Sequence, residues 1–123
     1  MVWVMAGGFL GSMIRYFLGE WVHAGGGFPL GTFLINLSGC FLLGWFMTAS
    51  VKKKVQQKYI WMIGTGFLGS FTTFSTFSVE TVGLIEDGAI GTAVLYVGLS
   101  IILGMLLAYA GFRLEVGKGA DSE

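Results

Sequence analysis

Charge is scarce in this sequence. Only 11% of its 123 residues are Asp, Glu, Lys or Arg, whereas soluble domains carry roughly 25%. The formal net charge is zero, so the chain has no basic face large enough to follow a nucleic-acid backbone, which argues against nucleic-acid binding. Because 54% of the residues are hydrophobic and the mean hydropathy is +0.79, we expect a protein that resides in a lipid bilayer.

Residues that commonly carry catalysis or bind metals are also few. The single cysteine, Cys40, lies in an apolar run, which excludes a disulfide or a cysteine metal site within one chain. The single histidine, His23, lies in a glycine-rich loop and is interpreted as an interfacial residue rather than a proton sensor. No nucleophile with a base and an orienting group can be assembled, so we predict that the protein is not an enzyme.

Long apolar segments dominate the chain. A helix needs about 20 apolar residues to cross the hydrocarbon core, and the sequence contains four such segments, at residues 2–22, 28–50, 59–82 and 89–112. The first lacks a basic n-region and is too long for an h-region, so we expect a span rather than a secretory signal. The fold class predicted is an all-α membrane protein, with residues 1–123 forming one four-span domain.

The basic residues outside the spans are distributed unevenly. One loop and the polar C-terminal tail contain six of them, and the other two loops contain none: Lys52, Lys53, Lys54, Lys58, Arg113 and Lys118. This bias predicts that both termini and the lysine loop lie in the cytoplasm. We interpret the lysines as setting topology, with lipid-headgroup binding as the alternative.

A few polar residues lie inside the predicted spans, where an unsatisfied group is costly. Arg15 lies about 20 Å along the first helix. It either extends to the interface or acts inside the protein, by attracting anions or by binding carbonyls. Thr32 and Asn36 share one face of the second helix, and Tyr96 and Ser100 share one face of the fourth. Each pair is interpreted either as interhelical hydrogen bonding or as the lining of a polar path.

The third segment contains the most informative tract. Six of the nine residues from Ser70 to Ser78 are hydroxylated, and the other three are Phe71, Phe74 and Phe77. So many hydroxyl and β-branched side chains next to Gly69 weaken a regular helix. We therefore predict that the third helix is broken near mid-membrane, as helices commonly are at transporter binding sites.

These patterns together resemble the Fluc (CrcB) family of fluoride channels. The resemblance covers the four-span layout and nearly the whole chain, through Phe112, and it rests on three motifs. They are Gly7-Gly8-x-x-Gly11-x-x-x-Arg15-Tyr16, Gly31-Thr32-x-x-x-Asn36-x-x-Gly39, and Gly69-x-x-Thr72-Thr73-Phe74-Ser75-Thr76-Phe77-Ser78-x-Glu80. The third motif is the most specific.

The resemblance implies an antiparallel dimer with two fluoride pathways and a structural sodium ion at its centre. It implies that the backbone carbonyls of Gly69 and Thr72 hold the sodium, and that Arg15 lies near the vestibule. Glu80 matches the acidic residue that ends the third-helix motif. The positions implied along the fluoride pathway are Phe74, Phe77, Asn36, Thr32, Ser75, Thr76, Tyr96 and Ser100.

Two features differ from the family pattern. Ser70 replaces a second glycine that is usual in the third-helix motif. The strong lysine and arginine bias is unusual for a chain that must insert in both orientations, so the antiparallel partner is either a second copy or an oppositely oriented relative.

The function predicted is passive, fluoride-selective efflux across the cell membrane. The main alternative is a small four-span proton-coupled drug exporter. Such an exporter needs a carboxylate inside the membrane, whereas Arg15 occupies the first helix and Glu20 and Glu80 lie near span ends. A non-transporting assembly subunit would leave the tract of hydroxyl and phenylalanine residues unexplained.

Overall fold

The computed structural model describes residues 1–21 and 28–120. These residues form helices and no strands, which confirms the prediction of an all-α chain. The predicted loop at residues 23–27, with His23, lies outside the described residues. The helices are α1 Val2–Trp21, α2 Leu30–Lys52, α3 Gln57–Ile60, a π-helix Trp61–Leu68, α4 Gly69–Phe71, α5 Ser75–Glu86 and α6 Ile90–Ala120.

Three helical stretches among these residues are long and apolar enough to cross a membrane, namely Val2–Glu20, Leu30–Lys52 and Ile90–Lys118. The third predicted segment instead consists of α3, the π-helix, α4 and α5, with non-helical backbone at residues 72–74. Thr72 has extended geometry (φ −75°, ψ 155°). This interruption leaves backbone groups that an unbroken helix would have paired.

The helices pack as two groups, and α2 contacts α1, the π-helix and α4 between them. α1 lies against the π-helix and α4, α2 lies along α6, and α5 contacts the first part of α6. Trp3 contacts Tyr59 at one end of the molecule, and Thr32 contacts Glu80 towards the other. The start of α1, the turn after α2 and the end of α6 therefore share one end.

Glycine allows both helix pairs to approach closely. A Cβ atom at Gly7 would lie 1.8 Å from the carbonyl oxygen of Met62, and one at Gly44 would lie 2.1 Å from that of Ala108. Neither position can hold a larger residue unless the backbones separate. Small residues are the usual means of close helix contact in lipid, where no hydrophobic force drives helices together.

Buried aromatic side chains fill the space between α2, α5 and α6. Tyr96 is fully buried and packs with Leu84 and Ala93, and the rings of Phe33 and Phe77 lie against this cluster. The centroids of Phe77 and Tyr96 are 4.9 Å apart. This cluster fixes the position of α5 after the interruption.

α6 continues beyond the predicted end of the fourth span at Phe112 and reaches Ala120. Glu115 stabilises this extension. Its carboxylate accepts a hydrogen bond of 3.0 Å from the Trp45 indole, and the residue is only 5% exposed. The ammonium of Lys52 also donates to the backbone carbonyl of Glu115. These two contacts hold the polar segment against α2 as helix rather than as a loose tail.

Replacing Gly44 with alanine tests the close contact of α2 and α6. We expect Gly44→Ala to lower the free energy of unfolding by about 1–3 kcal/mol, because the new methyl group overlaps the Ala108 carbonyl. Thermal unfolding of the purified protein in detergent measures this change. Gly117→Ala is the matched control, since a Cβ there meets nothing within 4 Å. Equal stability of the two variants would contradict the close approach.

Candidate functional site

A cavity of about 430 Å³ lies beside the interruption at residues 72–74. Its walls come from α2, the π-helix, α4, α5 and α6, and they are mostly apolar. The lining residues are Asn36, Gly39, Cys40, Leu43, Gly64, Leu68, Gly69, Thr72, Thr73, Phe74, Phe77, Ser100 and Ile101. Six of them were predicted as site residues from the sequence: Asn36, Gly69, Thr72, Phe74, Phe77 and Ser100.

Asn36 holds the interruption from the α2 side. Its side-chain amide donates to the carbonyl oxygen of Thr73 (3.0 Å), and its oxygen accepts from the Thr73 amide (2.8 Å). One side chain thus satisfies both backbone groups of a residue outside any helix. An asparagine amide suits this task because it has both a donor and an acceptor.

Arg15 and Ser70 hold the same region from the α1 side. The Arg15 Nε donates to the Ser70 carbonyl oxygen at 2.9 Å. The Ser70 hydroxyl lies 2.8 Å from the carbonyl oxygens of both Gly8 and Gly66, and its single proton serves one of them at a time. Arg15 therefore binds a carbonyl next to the interruption, and it does not line the cavity.

Three carbonyl oxygens at the interruption lack a protein partner. Within the described part of the chain, those of Gly69, Phe71 and Thr72 accept no hydrogen bond, whereas those of Leu68, Ser70 and Thr73 do. Of the three residues with unpartnered carbonyls, Gly69 and Thr72 line the cavity. The interruption therefore presents hard oxygen atoms beside the cavity.

Two phenylalanines occupy the start of α5 and the turn before it. Phe74 is 80% exposed in this single chain and lines the cavity. Its ring centroid lies 6.0 Å from that of Phe77, and the ring planes are inclined by 33°. Phe77 in turn contacts Tyr96. The three rings form a continuous row from the cavity towards the aromatic core.

Polar groups accompany this row. The Thr32 hydroxyl donates to the Glu80 carboxylate and thereby joins α2 to α5. The Tyr96 hydroxyl is buried and makes no hydrogen bond of standard geometry with the described residues. A buried donor without a partner is costly, so this hydroxyl is suited to a small ligand or water.

The remaining predicted residues lie near the start of α5 or on α6. The Ser75 hydroxyl lies 3.3 Å from that of Thr73, and the Thr76 amide donates to the Thr73 hydroxyl at 3.2 Å. Thr73 thus satisfies one of the free amides at the helix start. Ser100 reaches the cavity from α6.

Sequence reasoning missed the partners of several predicted residues. Thr73 was part of the motif, but nothing in the spacing shows that Asn36 binds it across 37 positions. In the sequence, Ser70 is part of the hydroxylated tract and a departure from a family glycine. The sequence does not predict that the Ser70 hydroxyl lies within hydrogen-bond distance of the Gly8 carbonyl in α1. Cys40 lines the cavity without having been predicted there.

The chemistry of the site is that of binding rather than reaction. The described residues contain no group of three or more His, Cys, Asp or Glu side chains that could hold a metal ion. A cation at the interruption would therefore be bound by carbonyl and hydroxyl oxygens, which suit hard ions.

Comparison with known proteins identifies the family. The family model described as "CrcB-like protein, Camphor Resistance (CrcB)" matches residues 2–112. A protein of Oceanobacillus iheyensis named "Fluoride-specific ion channel FluC" is 57% identical over 114 residues, covering 92% of this chain and 88% of the relative.

Two further relatives come from other bacteria. "Fluoride-specific ion channel FluC 1" of Bacillus cereus is 48% identical, with 93% of this chain and 87% of the relative covered. "Fluoride-specific ion channel FluC" of Thermus thermophilus is 43% identical, with 90% and 89% covered. The relatives are named as ion channels, which agrees with the prediction that the chain is not an enzyme.

The apolar helices and these relatives together make the chain a multi-pass membrane protein. The resemblance inferred from its three motifs is confirmed, and the chain belongs to the CrcB family.

Proposed function

We propose that this protein is a fluoride-selective channel of the cell membrane that lets fluoride leave the cytoplasm passively and so lowers its toxicity. Membership of a family whose relatives are named as fluoride-specific channels supports the substrate. The observation that carries the proposal is the row of Phe74, Phe77 and Tyr96 beside a cavity that also contains Asn36 and Ser100. No chemical step is needed.

The aromatic row explains how a dehydrated anion is accommodated. The edge of a phenylalanine ring carries positive potential, so Phe74 and Phe77 stabilise a small anion while excluding water. Hydroxyl and amide donors replace its hydration, and the unpaired hydroxyl of Tyr96 supplies one. In this proposal the hydroxyls of Thr32, Ser75, Thr76 and Ser100 supply further polar groups. Pore width and donor placement together govern selectivity in such filters.

The proposal includes a structural sodium ion at the interruption. The free carbonyl oxygens of Gly69 and Thr72 are hard donors, which fits a small alkali cation. Two such donors from one chain are too few to surround the ion, so a second subunit would supply the rest. The sodium stabilises the assembly and is not transported.

The second subunit lies antiparallel in this proposal. The exposed ring of Phe74 and the cavity wall then face the partner rather than lipid. The partner is either a second copy of the chain or a relative of opposite topology, because the six lysine and arginine residues outside the predicted spans favour one orientation for this chain. In this assembly Arg15 lies near the vestibule and steadies the interruption through Ser70.

Replacing Phe74 or Phe77 with isoleucine tests the aromatic path. We expect Phe74→Ile and Phe77→Ile each to lower fluoride flux roughly tenfold, because an edge interaction of about 1.4 kcal/mol is lost. The measurement is fluoride efflux from liposomes without a proton gradient, recorded with a fluoride electrode. Phe17→Ile, on the exposed face of α1, is the control. Wild-type efflux in both variants would exclude the path, and flux that requires a proton gradient would favour the exporter.

Replacing Asn36 with aspartate tests how the interruption is held. The carboxylate can still accept from the Thr73 amide, but it loses the bond to the Thr73 carbonyl and adds a negative charge on an anion path. We therefore expect Asn36→Asp to reduce efflux by roughly tenfold or more, the effect of losing one hydrogen bond in a desolvated site. Ser38→Ala is the control, since Ser38 bonds only within α2. Equal flux in the two variants would contradict this role.

Removing sodium tests the proposed structural ion. Liposomes prepared and dialysed with N-methylglucamine in place of sodium should lose fluoride efflux, and restoring sodium should recover it, because the Gly69 and Thr72 carbonyls would lack their cation. Efflux is recorded at constant ionic strength to separate this effect from screening. Unchanged efflux after prolonged sodium removal would eliminate the ion while leaving the aromatic path untouched.

A further inference from the structure

Charge is segregated between the two ends of the molecule. Around the start of α1, the turn after α2 and the end of α6, the Lys, Arg, Asp and Glu side chains among the described residues are Lys52, Lys53, Lys54, Lys58, Arg113, Lys118 and Glu115. Glu115 is buried against Trp45. The other acidic side chains described, Glu20, Glu80, Glu86 and Asp87, lie towards the opposite end. Among the residues that the structure describes, the buried Glu115 is therefore the only acidic side chain at the basic end.

The lysines at this end do not all have the same role. The Lys52 ammonium donates to the Glu115 carbonyl and so joins two helices. Lys53 and Lys54 lie exposed in the turn, where Lys54 has positive φ (51°). Among the described residues, no carboxylate lies within the 4.0 Å ion-pair distance of Lys53, Lys54 or Lys58. Within the described part of the chain, these three lysines therefore make no ion pair.

Two aromatic rings hold Lys58 in place. Its Nζ lies 5.1 Å from the ring centroid of Trp3 and 5.0 Å from that of Tyr59. The rings meet edge to face, with centroids 6.1 Å apart. A lysine whose role is only to set the orientation of the chain in the membrane needs a positive charge, but it does not need to be held between two aromatic rings. Tryptophan and tyrosine are typical of the headgroup layer of a membrane, so an ammonium held by both rings is suited to contact lipid phosphate.

We propose that Lys53, Lys54 and Lys58, with Trp3 and Tyr59, form a binding site for the phosphate of an anionic phospholipid. We call these five residues the lysine patch. Ammonium groups bind phosphate oxygens through charge-assisted hydrogen bonds. Val51, which is 77% exposed, lies just before the patch in the chain and offers an apolar surface to an acyl chain. This apolar neighbour favours a lipid over free phosphate as the occupant.

Native mass spectrometry of the purified protein with added palmitoyl-oleoyl phosphatidylglycerol tests the site. We expect phosphatidylglycerol to bind at least roughly tenfold more tightly than phosphatidylcholine of the same chains, since juxtamembrane lysines favour anionic lipid. The double variant Lys53→Gln with Lys54→Gln should weaken this binding by roughly fivefold or more. Inorganic phosphate at millimolar concentration should displace little of the lipid, and full displacement would overturn the choice of a lipid.

Two further variants distinguish a specific lipid-binding site from non-specific electrostatic attraction of anionic lipid to the basic end. Lys118→Gln removes the same charge from the end of α6, outside the lysine patch, and should change lipid binding by less than about twofold. Trp3→Leu keeps every charge but removes a ring that positions Lys58, and should weaken binding by roughly twofold to fivefold. Phe9→Leu, an exposed ring elsewhere on α1, is its control.

The proposal is overturned if phosphatidylcholine binds as tightly as phosphatidylglycerol. It is also overturned if Lys118→Gln weakens binding as much as a patch variant, or if Trp3→Leu has no effect. Size-exclusion profiles and helical circular dichroism of each variant verify folding before binding is compared. The measurement involves no fluoride, so its outcome is independent of the proposed channel activity.

Discussion

The candidate site depends on one side chain, the amide of Asn36, which binds both backbone groups of Thr73. In a bilayer, each unsatisfied backbone group costs several kcal/mol, because no water is present to bind it. Residues 72–74 are not helical, so other groups of the protein must form hydrogen bonds with their backbone. Asn36 does so from α2, while Arg15 and Ser70 bind the other side of the same segment. The carbonyl oxygens of Gly69 and Thr72, which line the cavity, accept no hydrogen bond from the described residues.

Close helix packing makes these short contacts possible. The Ser70 hydroxyl reaches the Gly8 carbonyl because glycine at Gly7 and Gly11 lets α1 lie against the π-helix and α4. The same arrangement explains why Ser70 is compatible with a position where the family usually has glycine. Its side chain points between the two helices and finds a carbonyl there, so the extra atoms make a hydrogen bond rather than a clash.

The two ends of the molecule follow a different physical constraint, the separation of charge. Lysines gather where α2 ends, and Glu115 holds the extension of α6 beside them through Trp45 and Lys52. This extension lies beyond residue 112, where the family match ends.

Two features of this protein follow from its sequence: the apolar composition predicts the bilayer, and the tract from Ser70 to Ser78 predicts both the family and the place where a helix is weakened. The hydrogen-bond partners of the polar side chains could not be predicted from the sequence. Asn36 binds Thr73 and Trp45 binds Glu115 across 37 and 70 positions, and no local pattern encodes such pairs. The residue types alone show which side chains are costly in lipid. Which groups satisfy them depends on how the helices pack, because each partner comes from a distant part of the chain.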